Sequence, residues 1–132
     1  MGKSFFEKQV DASETFVQAF ESILSRHGYE KSNSAYKKCQ MSKQKFQYIR
    51  KGQHTSKTAV FHIALGLGFS FEETDVLLRK LGYGFSDCDL RDVIVKFYLE
   101  DGNPDIYEVD EELRRYGLPC FIKEDEDAPI AA

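Results

Sequence analysis

The residues best placed to do chemistry are cationic and clustered. Lys31, Lys37, Lys38, Lys43, Lys45, Arg50, Lys51 and Lys57 fall in one window that holds no acid. The 132-residue chain as a whole carries a formal net charge of −4, from 18 basic and 22 acidic side chains. All of the acids therefore lie outside that window, four of them in the run Glu124-Asp125-Glu126-Asp127. A basic segment inside an acidic protein makes a directed field, and phosphate backbones are its commonest target. A solvated helical face that only keeps the protein in solution is the plainer alternative.

Other chemistries find little to work with. His27, His54 and His62 are scattered, and the 3 cysteines (Cys39, Cys88, Cys120) show no paired spacing. No HExxH or calcium-loop pattern occurs, so no metal and no cofactor are expected. Gly2-Lys3-Ser4 lacks the upstream glycine and strand of a phosphate loop, and Gly82-Tyr83-Gly84 reads as a helix stop with a turn. The carboxylates form no evident acid/base pair, and an enzyme is not expected. His27 and His62 fall on or near helical stripes and read as core-edge residues. His54 lies in a loop within reach of a phosphate. The thiols read as buried or half-buried in a reducing cytoplasm.

Composition sets the frame. At 42% hydrophobic and 30% charged, the chain suits one compact domain that buries about two-thirds of its unfolded surface. The longest apolar stretch, 59–71, is too short for the roughly 18 residues of a membrane span. No apolar run follows Lys3, and Phe6 stands where an acylation signal needs Ser or Thr. A cytoplasmic protein without membrane contact is the expectation.

Periodicity points to helices throughout, an all-α fold. Phe16, Val17, Phe20, Leu24 and His27 make a first stripe with Ile23 beside it. Asp11 and Glu14 give its capping pattern and Gly28 its stop. A short helix over 32–39 opens on Ser32, Asn33 and Ser34. After a turn at Gln40-Met41, Ser42 caps a third helix with Phe46 and Ile49 inward, ended by Gly52. Ser56 opens a fourth with Ala59, Val60, Ile63, Ala64 and Leu67 inward, ended by Gly68. Ser70 and Glu73 box a fifth, which buries Val76, Leu77 and Leu81 before Gly82. A sixth opens near Ser86 and Asp89 with Leu90, Val93, Ile94 and Phe97 inward, and stops near Gly102. A seventh buries Val109, Leu113 and Tyr116 and ends at Gly117, with Pro119 blocking continuation.

Residues 32–51 have the layout of a helix-turn-helix: short helix, tight turn, second helix. With its neighbours, the segment 16–82 resembles the lambda-repressor-like, Cro-type five-helix DNA-binding domains. The features in common are Gly28 at a helix end, polar caps at Ser32 to Ser34, Met41 in the turn and Ser42 opening the second helix. Inward Phe46 and Ile49, then Gly52, Ser56 and Ala64-Leu65-Gly66-Leu67-Gly68, complete the likeness. Three positions depart from the pattern. Tyr36 replaces the usual small residue, after Ala35 in place of a larger one; Gln40 replaces the turn glycine; and Arg50 stands where an acid is frequent.

The resemblance implies a five-helix domain over 11–83; the chain itself reads as a loose N-terminus at 1–10, a helical extension at 84–122 and an acidic flexible tail at 123–132. The resemblance also implies that the helix 42–51 enters the major groove of double-stranded DNA, as in a transcriptional regulator. Lys43, Gln44, Gln47 and Tyr48 match the base-reading positions. Gln suits adenine N6 and N7, and Lys suits guanine O6 and N7. Asn33, Ser34, Lys37, Lys38, Ser42, Arg50, Lys51 and Lys57 would hold phosphates. The alternative is a non-catalytic interaction or adaptor module on the same scaffold. Residues 86–122, with Phe97, Tyr98, Tyr107, Tyr116 and Phe121, are the candidate surface for a homodimer or another protein.

Overall fold

Thr15 opens the first helix. Its hydroxyl accepts from the Gln18 amide while the Gln18 side chain accepts from the Thr15 amide, so two orphan donors are met reciprocally. The computed structural model describes residues 14–29, 34–53, 55–102 and 104–122, which form helices and connections with no strand among them. The helices are α1 (Phe16–Arg26), α2 (Ala35–Lys38), α3 (Lys43–Arg50), α4 (Lys57–Leu67), α5 (Phe71–Lys80), α6 (Leu90–Glu100) and α7 (Ile106–Arg115). The all-α expectation holds. The stretches 1–10 and 123–132 lie outside the described residues, as does Asp11. The first helix is capped at Thr15 rather than by the Asp11–Glu14 pattern.

Serine does the capping where the sequence places it. The hydroxyls of Ser42, Ser56 and Ser70 accept from the amides of Lys45, Ala59 and Glu73, each at 3.1 Å. Glu73 returns the bond to the Ser70 amide at 2.9 Å and also meets Arg26 and His27 at the end of α1. Burial alone would push the Glu73 carboxyl up. The Ser70 amide, His27 and Arg26 offset that and hold it below its ordinary value.

α4 is the centre of the molecule. Ala59, Val60, Phe61, His62, Ile63, Ala64, Leu65 and Leu67 are all buried, so it is enclosed on every side. α2, α5 and α7 pack on it, α1 bridges α3 and α5, and α6 lies on α5 and α7. Phe20 joins the layers, with ring centroids 5.6 Å from Phe16, 6.1 Å from Phe46 and 6.3 Å from Phe69. One continuous apolar core runs from Phe16 to Phe121 through all the described helices. No helix among the described residues is long and apolar enough to cross a membrane.

The C-terminal helices turn differently from the periodicity reading. α6 buries Asp92, Ile94, Val95 and Leu99, and leaves Leu90, Val93 and Phe97 exposed. The cause is ionic: Asp92 forms an ion pair with Lys57 and accepts from the Ser86 amide, which turns the acid side inward. In α5, Thr74, Leu77 and Leu78 are buried, Leu81 is half-buried and Val76 is exposed. In α7, Val109 and Leu113 are buried as expected, but Tyr116, the C-cap, is exposed. Phe121 belongs to the core rather than to a surface. Its ring lies 4.2 Å from the Arg91 guanidinium and 6.5 Å from Phe61, and its amide donates to the Asp110 carboxylate. Cys39 is buried and Cys120 intermediate, but Cys88 sits in an exposed turn, contrary to the expectation of sheltered thiols.

At Gly66, α4 closely approaches the end of α2. A Cβ there would lie 2.8 Å from the Cys39 Cα and 3.0 Å from its Sγ. The obstacle is backbone, which cannot swing away. Gly66→Ala is expected to cost about 1–3 kcal/mol. Gly84→Ala, where an added Cβ meets nothing within 4 Å, is expected to be nearly neutral. Thermal melts of the two variants, with equal drops in Tm as the contrary result, check the close approach.

Candidate nucleic-acid interface

The junction of α2 and α3 begins with a helix end. The Met41 amide donates to the Tyr36 carbonyl and the Gln40 amide to the Lys37 carbonyl, at 3.2 and 3.1 Å. This pair of bonds is a Schellman motif. It requires a left-handed residue, and Gln40 takes φ 57°, alone among the described non-glycine residues in having positive φ. Gln40 thus adopts the conformation that a glycine would supply without strain. Ala35 is buried, while Tyr36 is half-buried and packs against the core. The described part of α2 is short, and Ser32 and Asn33 lie outside the described residues.

Two contacts fix this turn to α4. Cys39 rests on Gly66, and the His62 ring bonds to the Cys39 carbonyl. A carbonyl only accepts, so Nε2 of His62 is the protonated nitrogen. Burial pushes the His62 imidazole below its ordinary value, the carbonyl bond opposes this, and Lys45 lowers it further. Burial also pushes the Cys39 thiol up to about 12, so it is a packed thiol and not a nucleophile.

From that fixed turn, Phe46 and Ile49 point inward and set the phase of α3. Lys43, Gln44 and Tyr48 are exposed and Gln47 is half-buried. Gln44 Nε2 donates to the Tyr48 hydroxyl at 3.2 Å across one helical turn. The four residues that match base-reading positions therefore belong to the outward side of one short helix. Ser42 has its oxygen engaged in capping α3. Ser34 is the N-cap of α2 and makes no side-chain cap bond.

The cations divide into two groups. Lys37, Lys43, Lys45 and Lys51 are exposed and make no ion pair among the described residues. Lys38 donates to the Tyr29 hydroxyl at 3.1 Å, and that bond raises the lysine above its ordinary value, so it stays charged. Arg50 and Lys57 are turned to structural use. Arg50 grips Glu21 with two bonds of 2.5 and 2.9 Å, and Lys57 pairs with Asp92. Lys45 is the residue not singled out in the sequence for this face; its place in the acid-free window was the available signal. Asn33 and His54 lie outside the described residues.

Compared with known proteins, the chain matches no family model, no curated protein and no solved structure. The surface itself must carry the assignment. Among the described residues, no group of His, Cys, Asp and Glu is disposed to hold a metal ion. What the surface offers is amide, phenol and ammonium donors on one side of α3, with lysines on both flanks.

The burial of the His62 imidazole makes the fold acid-sensitive. The folded state favours neutral imidazole, whereas the unfolded chain takes up a proton below the ordinary value of 6.5. Stability from this group is complete above pH 6.5 and is lost as pH falls through the lowered folded value, at up to about 1.4 kcal/mol per pH unit. Urea midpoints at pH 7.5 and pH 5 are expected to differ in the native chain. The difference should shrink in His62→Gln, which can still donate to the carbonyl but cannot titrate. An undiminished difference in the variant would place the acid sensitivity elsewhere.

Proposed function

We propose that the chain is a small DNA-binding protein, a transcriptional regulator in which α3 reads the major groove. In this reading α1 to α5 form the repressor-like five-helix unit, and α6 and α7 form its extension. One observation carries it: Lys43, Gln44 and Tyr48 are exposed on α3, with Lys37, Lys45 and Lys51 around them and free of ion pairs among the described residues. The left-handed turn at Gln40 supports it, because the turn keeps the geometry for which the family uses glycine. Lys43, Gln44, Gln47 and Tyr48 are assigned to base edges. Lys37, Lys38, Lys45 and Lys51 are assigned to phosphates, along with Ser34 and the first amides of α3. Arg50 and Lys57 contribute long-range charge from within their ion pairs.

Two classes of substitution separate these roles. Lys37→Ala with Lys51→Ala is expected to weaken binding to every duplex alike. It should lower the magnitude of the log K against log salt slope by roughly 0.9 for each phosphate no longer neutralised. Gln44→Ala is expected to leave binding to random DNA unchanged and to cost about 1–3 kcal/mol at a duplex selected from a random pool. A salt slope that does not move in the double variant would remove the lysines from the interface.

A second reading is an interaction module that keeps the same scaffold. It draws on the apolar line Leu90, Val93 and Phe97 along α6, with Phe97 64% exposed, and on Tyr107 and Tyr116. This surface would support a homodimer over two half-sites or dock another protein. Sedimentation at about 100 μM, well above a ~1 μM dimer constant, decides the first case. A dimer that becomes a monomer in Phe97→Lys supports it, and a native chain that stays monomeric excludes it.

A further inference from the structure

The outward side of α6 is a row with acids at both ends. Asp89, Val93, Phe97 and Asp101 follow one another at four-residue spacing, so they share one face, and all four are exposed. Leu90 and Glu100 flank the row and are exposed as well. Asp89 caps α6 through one of its two oxygens. Neither cation of α6 neutralises the row, because both are turned to aromatic rings. The Arg91 guanidinium lies 4.2 Å from Phe121 and the Lys96 ammonium 5.5 Å from Phe71. α7 adds the exposed acids Glu108 and Glu111, while its cations are engaged: Arg115 pairs with Glu112, and Arg114 also has a partner. These acids border the same side. The Phe97 ring meets the Tyr98 ring edge-on at 5.4 Å, and burial, Glu112 and Glu108 push the Tyr98 hydroxyl above its ordinary value.

What covers such a row must be apolar in the middle and basic at both ends. A second α6 does not qualify. In a two-fold pairing, acid meets acid at each end whichever way the helices run. The complementary pattern stands on α3. Lys43, Gln47 and Lys51 follow one another at the same four-residue spacing, with the exposed Tyr48 ring beside them. Lys43 and Lys51 are exposed and make no ion pair among the described residues, and the same holds for Lys37 and Lys45 nearby. At 1.5 Å per residue, Lys43 and Lys51 lie about 12 Å apart along their helix and Asp89 and Asp101 about 18 Å. The mismatch of about 3 Å at each end is within the reach of a lysine stem. Within one copy, α3 packs on α1 and α2 whereas α6 packs on α5 and α7, and no ion pair joins the two faces among the described residues. We propose that copies of this chain associate head to tail, with the lysine face of α3 on one copy against the acid-ended row of α6 on the next. Tyr48 then covers Val93 and Phe97. The proposal rests on the second reading above, in which α6 is an interaction surface, and not on DNA binding. Because the contact joins unlike faces, each pair leaves one face of each kind open and the contact can repeat.

Sedimentation of the full chain, with no DNA present, tests this. The concentration is about 100 μM, above a contact constant of ~10 μM. At about 0.01 M salt, with a Debye length of about 30 Å, the mean mass is expected to reach at least twice that of the monomer and to rise with concentration. At about 1 M salt, with a Debye length of about 3 Å, it is expected to return to the monomer's. Two variants then separate the halves of the contact. Lys43→Gln with Lys51→Gln removes the basic ends, and Phe97→Lys spoils the apolar centre, all at exposed positions. Each variant alone is expected to be monomeric. Mixed one to one at low salt, they are expected to form a dimer containing one chain of each, which native mass spectrometry identifies. It grows no further, because each chain supplies only the face that the other lacks. A native chain that stays monomeric at low salt would overturn the proposal. So would a monomeric mixture of variants that both melt as the native chain does. A dimer that survives in the lysine variant but is lost in Phe97→Lys would keep α6 as an interaction surface and overturn the lysine face as its occupant.

Discussion

The contact of the α2 end with α4 is the constraint from which the interface follows. Cys39 can rest on α4 only because position 66 has no side chain, and His62 then reaches the Cys39 carbonyl. These two contacts fix the turn on the most enclosed helix of the molecule. The left-handed Gln40 redirects the chain, Ser42 restarts it, and Phe46 and Ile49 set the rotation of α3. Which residues α3 presents outward is thus decided by packing two elements away. A binding surface on a helix of eight residues has too few internal bonds to hold itself in place. It depends on the core behind it for its orientation.

The same economy of charge recurs across the molecule. Arg50 and Lys57 leave the basic window to pair with Glu21 and Asp92. The first pair ties α3 to α1, and the second ties α4 to α6. A buried carboxylate needs partners to be tolerable, and Asp92 and Asp110 have them in Lys57, in the Ser86 amide and in the amides of Phe121 and Ile122. The lysines left over are those on the rims of α2 and α3, where nothing acidic is folded against them among the described residues.

The legible parts of the chain were those where local rules act alone. Ser42, Ser56 and Ser70 cap where their position before an apolar stripe requires, and Gly68 ends α4 in the left-handed conformation. Phe46 and Ile49 fix α3 without ambiguity, because its other residues are polar. α6 failed for the opposite reason. Leu90, Val93, Ile94, Val95, Phe97, Tyr98 and Leu99 are apolar on nearly every side, so periodicity admits more than one buried face. The choice falls to Asp92 and its partner Lys57, 35 positions earlier, a non-local term that no local window contains. Gln40 was a related case. The need for a left-handed residue was visible, but that a glutamine meets it follows only from the bonds of Met41 and Gln40 back to Tyr36 and Lys37.

The enclosure of α4 has a consequence for how the chain comes apart. A helix covered by α2, α5 and α7 at once cannot expose its backbone by fraying, because each cover belongs to a different part of the sequence. Its amides can meet solvent only when all three covers leave together. Hydrogen exchange along α4 should therefore report the global opening free energy, whereas the rims of α2 and α6 exchange through smaller local openings. The extension is then no appendage. With Lys57 joined to Asp92 and the Phe121 ring against Phe61 and His62, α4 and the C-terminal helices share one packed core. A protease that nicks the loop between α5 and α6 would leave two fragments still held together.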